Sequence, residues 1–183
     1  KLSVTTRKDS SNSAAKIAWA AQVAASQEQG IDLDLLSAAS VKQCAARVQQ
    51  LCPQFDVLIN NAGIASSGRS VADTDPAELQ RVMAVHALAP HYMSHFALPH
   101  LRKAARSDII MISSVATDGN ATNGAPYNMG KSAMESLALT LAKEEMPNGV
   151  RVNIVKPSLT VSDMGERLAR AVTGVADIHE LDK

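Results

Sequence analysis

Gly-x-Gly occurs nowhere in the 183 residues, so the chain carries no dinucleotide phosphate fingerprint. Excess charge is missing too. The 18 basic residues equal the 18 acidic ones, which leaves no electrostatic footprint for nucleic acid or an anionic membrane surface. Cysteine is scarce. Cys44 and Cys52 read as free thiols, and at this spacing, with no histidine beside them, they make a poor metal site. No apolar run reaches membrane-spanning length and no signal-peptide pattern is present, so a cytoplasmic location is expected. Aromatic residues make up 3% of the chain and only two are tyrosines, so a tyrosine followed four residues later by a lysine has few chances to arise at random.

What is present is a globular composition, 46% hydrophobic and 20% charged, with chain enough for one domain over residues 1–183. Residues 2–6 read as a strand. The alanine-rich residues 14–28 predict a helix stopped by Gly30, and residues 31–35 the next strand. Ser40-Val41-Lys42-Gln43 has the form of a capping box, with Val41, Cys44, Ala45, Val48 and Leu51 at helical spacing up to Pro53. Residues 56–60 predict a strand and 61–70 a loop of small residues. Asp75-Pro76-Ala77-Glu78 marks a helix start: a cap, a proline at the first position and a glutamate reaching back. That helical region runs to about residue 106, with Pro90 and Pro99 as breaks or kinks. There follow a strand at 108–113, a polar loop, a helix from Tyr127 to about Met146, a turn at Pro147-Asn148-Gly149, a strand at 150–155 and a helix at 163–171. Strands alternating with helices, the later strands continuous and apolar, predict a parallel sheet covered on both faces. Ligands of such sheets bind beyond the carboxyl ends of the strands, where Arg7, Asp34, Asn60, Ser114 and Pro157 fall.

The chemistry centres on Tyr127-Asn128-Met129-Gly130-Lys131. A tyrosine and a lysine four apart on a helix share one face, which brings an ammonium near a phenol. A free phenol, with a pKa of about 10, is a poor acid–base group at neutral pH, and a neighbouring cation lowers that value. Ser114 lies thirteen residues before Tyr127, after the apolar run Ile109-Ile110-Met111-Ile112-Ser113. Asn60-Asn61-Ala62-Gly63 closes the run Val57-Leu58-Ile59, and Val150-Arg151-Val152-Asn153-Ile154-Val155 ends in Lys156-Pro157. This order and spacing resembles the short-chain dehydrogenase/reductase family over nearly the whole chain.

The resemblance implies a doubly wound, Rossmann-like α/β fold in three layers, α/β/α. The chain would begin at the family's second strand and stop before its last, so it looks incomplete at both ends. The implied activity is an NAD(P)-dependent oxidoreductase interconverting a carbonyl and a secondary alcohol. Tyr127 would be the acid in reduction and the base in oxidation. Lys131 would lower the phenol's pKa and bond the nicotinamide ribose, and Ser114 would hold the substrate oxygen. Ser113 is the rival serine, disfavoured by the spacing. Arg7, preceded by Thr6 where NAD-binding members tend to carry an acid, favours NADP(H) over NAD(H). Asp34 and Leu35 match an adenine contact or a strand-end turn. Asn60, Ala62 and Gly63 match the segment lying along the cofactor, with a strand-tying role for Asn60 as the alternative.

Two departures stand out. His86 occupies the place of an asparagine that supports a proton-relay water; imidazole can do the same or be a plain helix residue. Ser158 replaces the glycine of a Pro-Gly pair after Pro157, while Thr160 and Ser162 match positions that contact the carboxamide or pyrophosphate. His91 and His95 are four apart with no third ligand in register, so no metal is expected. The helix from Tyr127 is apolar on more than one face through Met134, Leu137, Ala138, Leu139 and Leu141, and the family commonly pairs through it, so a homodimer or homotetramer is implied. The expected partner is a small carbonyl or alcohol compound, without nucleic acid or membrane. Two other readings stand beside this one. A non-catalytic binding or scaffold protein on the same fold would fit the missing phosphate loop, His86 and Ser158. Another Rossmann-like enzyme, such as a methyltransferase, would leave Tyr-x-x-x-Lys unexplained.

Overall fold

Three strands open the chain: β1 (Leu2–Thr5), β2 (Lys16–Val23) and β3 (Gln27–Asp34). They pair antiparallel in the order β1-β2-β3, with Val4 opposite Trp19 and Trp19 opposite Ile31. The computed structural model describes residues 2–5, 16–23, 27–52, 54–160 and 165. Two expectations are corrected here. The helix over residues 14–28 is replaced by β2 and the start of β3, and Gly30 lies inside a strand. Alanine content is a weak helix signal that tertiary pairing overrides. The same segment alternates Ile17, Trp19, Ala21 and Val23 with Lys16, Ala18, Ala20 and Gln22, a period of two rich in strand-forming residues. The first strands are also antiparallel rather than part of one parallel sheet.

The helix α1 (Ala38–Leu51) follows β3. Its cap is Ser37, whose hydroxyl accepts from the Ser40 N–H at 3.2 Å, one turn before the expected capping box. Ser40 instead accepts the Asp34 N–H at 2.9 Å. Val41, Cys44 and Val48 face inward, as their spacing predicts.

The site is built on a second sheet, β4 (Val57–Asn60), β5 (Ser107–Ile112) and β6 (Val150–Val155), all parallel in that order. Asn60 stands opposite Met111, and Ile112 opposite Val155, so the three carboxyl ends lie level. β1 lies alongside β4 without joining its ladder.

Between β4 and β5 the chain forms α2 (Pro76–Met83), a π-turn over Ala84–Leu88 and α3 (Ala89–Leu101). Asp75 caps α2 by accepting the Ala77 N–H, and Pro76 opens the helix, as expected. Glu78 does not reach back to the cap. Its carboxylate accepts the Ser67 N–H at 2.6 Å and pins the preceding loop. The break near Pro90 is real and specific. Proline has no N–H to return to His86, and the ladder slips so that the Ala89 N–H bonds the Ala84 carbonyl five residues back. The helical region ends at Leu101, before the expected residue 106.

After β5 come the one-turn helix α4 (Ala116–Gly119) and the long α5 (Ala125–Glu145), which opens two residues before Tyr127. Leu58, Ile109, Met111 and Val150 on one face of the parallel sheet pack with Val41, Cys44 and Val48 of α1, Met93, Ala97 and Leu101 of α3, and Met134, Ala138 and Leu141 of α5. Each such large apolar side chain contributes about 1.5–3 kcal/mol on burial, so this core holds the strand ends in place. The helix expected at residues 163–171 lies outside the described residues, apart from Gly165.

Candidate active site

Three successive turns of α5 present Tyr127, Lys131 and Glu135 at the carboxyl ends of β5 and β6. The Lys131 ammonium is buried, with 3% of the residue exposed. It donates to the Ile112 carbonyl at 2.6 Å and lies 5.9 Å from the centroid of the Tyr127 ring. Burial pushes its pKa down to about 8, against an upward pull from Glu135.

The central residue of the π-turn, His86, is fully buried between two glycines. A Cβ on Gly63 would stand 3.0 Å from His86 Cε1 and 3.7 Å from Lys131 Nζ, and one on Gly130 would stand 2.8 Å from His86 Cβ. The imidazole meets the Tyr127 ring edge-on, centroids 5.2 Å apart. Its Nε2 is 2.8 Å from the Ile64 carbonyl oxygen and 3.3 Å from the Ile64 nitrogen. A neutral ring carries one N–H, and the shorter contact assigns it to Nε2, donating to the carbonyl. Nδ1 is then a buried acceptor with no partner among the described residues. Burial and the Lys131 charge push the His86 pKa down to about 4, with the Ile64 bond opposing, so the ring is neutral at pH 7.

The two serines differ. Ser113 is buried and its hydroxyl donates to Glu135 Oε1 at 2.5 Å. Ser114 is half-buried; its oxygen accepts the Ala116 N–H at 3.2 Å and its proton has no acceptor among the described residues. Glu135 also takes a bond from the Thr117 hydroxyl at 2.7 Å and pairs with Lys156, which in turn pairs with Asp118. Burial raises the Glu135 carboxyl, but the two hydroxyls and the Lys156 ammonium lower it further, so it lies below the usual carboxylate range. The expected motif residues carry no signal for Glu135 except its position one turn beyond Lys131.

Asn60 is buried, and its amide meets Met111 Sδ at 3.2 Å, a tie between neighbouring strands. Asn60 and Ala62 line a shallow crevice together with Leu33, Leu35, Ile59 and Asn61. Asp34 accepts the Leu36 N–H at 3.0 Å, the geometry of a strand-end turn. Pro157 offers its carbonyl to the Val115 N–H, and Ser158 and Thr160 are exposed beyond it. Arg7 and Ser162 lie outside the described residues. His91 and His95 point to the surface against Tyr92 and Phe96. Among the described residues no three His, Cys, Asp or Glu side chains converge, and no helix is long and apolar enough to cross a membrane.

A parallel sheet with a buried Lys, a Tyr and strand-end hydroxyls gathered beyond its carboxyl ends defines an α/β protein of the open-sheet class. The chain belongs to the short-chain dehydrogenase/reductase family: residues 2–172 match the family model described as short chain dehydrogenase. The doubly wound, Rossmann-like fold expected from the sequence is the family's. The chain is similar to meso-2,3-butanediol dehydrogenase of Serratia marcescens, 33% identical over 147 residues, which span 78% of this chain and 58% of that protein. It thus spans little more than half the length of that relative. Among solved structures it resembles the aldohexose dehydrogenase of Thermoplasma acidophilum, with a TM-score of 0.74 at 26% identity over 83% of this chain and 58% of that one. It also resembles a metagenomic short-chain oxidoreductase solved in complex with NADP, with a TM-score of 0.66 at 29% identity over 79% of this chain and 67% of that one.

Proposed function

We propose that this chain is the core of an NADP(H)-dependent oxidoreductase, a single cytoplasmic domain that interconverts a ketone and a secondary alcohol. The observation that carries the reading is Lys131. A buried ammonium bonded to the Ile112 carbonyl and 5.9 Å from the Tyr127 ring centroid costs stability, and packing alone gives no reason for it. A perturbed cation beside a phenol is what proton transfer at a carbonyl oxygen requires.

A bound nicotinamide nucleotide would supply or receive the hydride. Tyr127 moves the proton at its phenolic oxygen. Lys131, with one N–H on Ile112, keeps its others for the ribose hydroxyls and holds positive charge beside the phenol. Ser114, whose proton is uncommitted, donates to the substrate oxygen as negative charge develops there. The orphan His86 Nδ1 suits one water linking it with Lys131. The crevice beside Leu35, Asn60 and Ala62 has apolar walls and polar edges, and it lies beyond the carboxyl ends of the strands, where a dinucleotide would run.

The preference for NADP(H) rests on Arg7, a cation suited to a 2′-phosphate, and on the NADP held by the similar metagenomic oxidoreductase. The name of the butanediol dehydrogenase relative agrees with a secondary alcohol as substrate. Two free thiols agree with a reducing compartment. Met129 and Leu139 stand exposed on α5 while Met134, Ala138 and Leu141 are buried, which supports a homodimer or homotetramer packed through that helix.

The test is a fluorescence titration of the protein with NADPH and NADH, followed by turnover of 2,3-butanedione in the wild type and in Tyr127→Phe. Tighter binding of NADPH is expected, with turnover reduced about 10²-fold or more in the variant and NADPH affinity kept. Full turnover in Tyr127→Phe would remove the acid–base assignment, and binding of neither nucleotide would favour a scaffold.

A further inference from the structure

Glu135 is bonded to Ser113, Thr117 and Lys156. It lies one turn beyond Lys131 on α5, and its two carboxylate oxygens collect three different segments. Oε1 accepts from Ser113, at the end of β5, at 2.5 Å and from Thr117, in α4, at 2.7 Å. Oε2 pairs with Lys156, which follows β6 and also holds Asp118. Ser113 and Thr117 flank Ser114. Lys156 precedes Pro157 and Ser158. Carboxylates that accept several hydrogen bonds from separate segments lock those segments in register.

We propose that Glu135 is a positioning residue that clasps the loop carrying Ser114 and the segment carrying Pro157 and Ser158 to the helix carrying Tyr127 and Lys131. The proposal rests on the oxidoreductase reading for the purpose of the clasp, but its geometry stands without that reading. The clasp also explains which serine is left for substrate: Glu135 occupies the Ser113 hydroxyl, so Ser114 alone keeps a proton to give. A second effect follows from charge. Lys131 is faced by Tyr127 and Glu135 from its own helix, by the neutral His86 from the π-turn and by the Ile112 carbonyl from β5. Glu135 is the one anion in that set, so it keeps the buried ammonium protonated against its desolvation.

Two measurements on the whole protein test this. The first is pH-dependent acetylation of Lys131 by acetic anhydride, read by mass spectrometry, in the wild type and in Glu135→Gln. Glutamine still accepts a hydroxyl bond but carries no charge, so the Lys131 midpoint, near 8 in the wild type, is expected to move down. A merely structural clasp would leave it in place. The second is amide hydrogen exchange of residues 113–118 and 155–158 in Glu135→Ala, expected to speed up there and not in α1. Unchanged exchange in Glu135→Ala overturns the clasp, and an unchanged midpoint in Glu135→Gln overturns the charge effect. If Glu135→Ala does not fold, exchange in Glu135→Gln decides the second arm by the same criterion. Neither readout uses turnover, so a failure here is separate from a failure of the Tyr127→Phe test.

Discussion

The Cβ of His86 lies 2.8 Å from the point where a Cβ on Gly130 would stand. The π-turn and α5 therefore touch backbone to side chain, with no atom to spare. Gly130→Ala sets two effects against each other. Alanine stabilises a helix interior by about 0.5–1 kcal/mol relative to glycine. Overpacking a buried contact costs about 1–3 kcal/mol. The neighbour is a β-carbon on a fully buried ring and cannot swing away, so the clash wins. Gly130→Ala is expected to be less stable in urea than the wild type, with a displaced His86; equal or greater stability would contradict the packing.

His86 gives a stability window in acid. Its folded pKa, about 4, lies below the ordinary 6.5, so the unfolded chain binds more protons between those values. Its contribution is complete above pH 6.5 and is lost as pH falls toward 4, on the order of 3 kcal/mol in all. Denaturation of the wild type at pH 7 and pH 4.5 should show this loss, and His86→Gln should lose distinctly less over the same interval. Parallel loss in both proteins would place the acid sensitivity elsewhere.

Lys131 acts at the other end of the scale. The folded state holds it near pH 8 and the unfolded chain near 10.5, so the unfolded state again binds more protons between these values. Stability from this group is lowest below pH 8 and rises from there to pH 10.5, by about 3 kcal/mol. Lys131→Met should be the more stable protein at pH 7 and lack that rise, while carbonyl reduction falls by about 10²-fold or more. Stability gained together with activity lost is the signature of a group kept for chemistry.

The paired serines separate by assay. Ser114→Ala should lower turnover with little change in unfolding, because among the described residues the only bond its hydroxyl accepts is a 3.2 Å contact from the Ala116 N–H. Ser113→Ala should lower stability by about 1–3 kcal/mol, since it takes a donor from a partly buried carboxylate. The reverse pattern would make Ser113 the substrate serine.

Much of this protein could be read along the chain because its signals are local. Apolar runs of strand length at β4, β5 and β6, the Asp75-Pro76 start of α2 and the i, i+4 pairing of Tyr127 with Lys131 depend only on neighbours in sequence. So does the inward face of α1, down to Cys44. The misread elements are those in which a local preference meets a competing partner. Alanine content pointed residues 16–23 to a helix, and pairing with β1 and β3 made them a strand. Ser40 had the form of a cap, but Ser37 held the cap position and left Ser40 for the Asp34 amide. Glu78 could have reached its own helix end and went to Ser67 instead. The choice between Ser113 and Ser114, the clamp of His86 between Gly63 and Gly130, and the clasp at Glu135 join residues 18 to 44 positions apart, whose order in sequence says nothing of distance. The sequence by itself determined which candidate groups this protein carries and at which strand ends they emerge. Only the tertiary structure decided which hydroxyl is occupied, which ring is neutral and which ammonium is desolvated, because burial and long-range hydrogen bonding exist only once the chain has closed on itself.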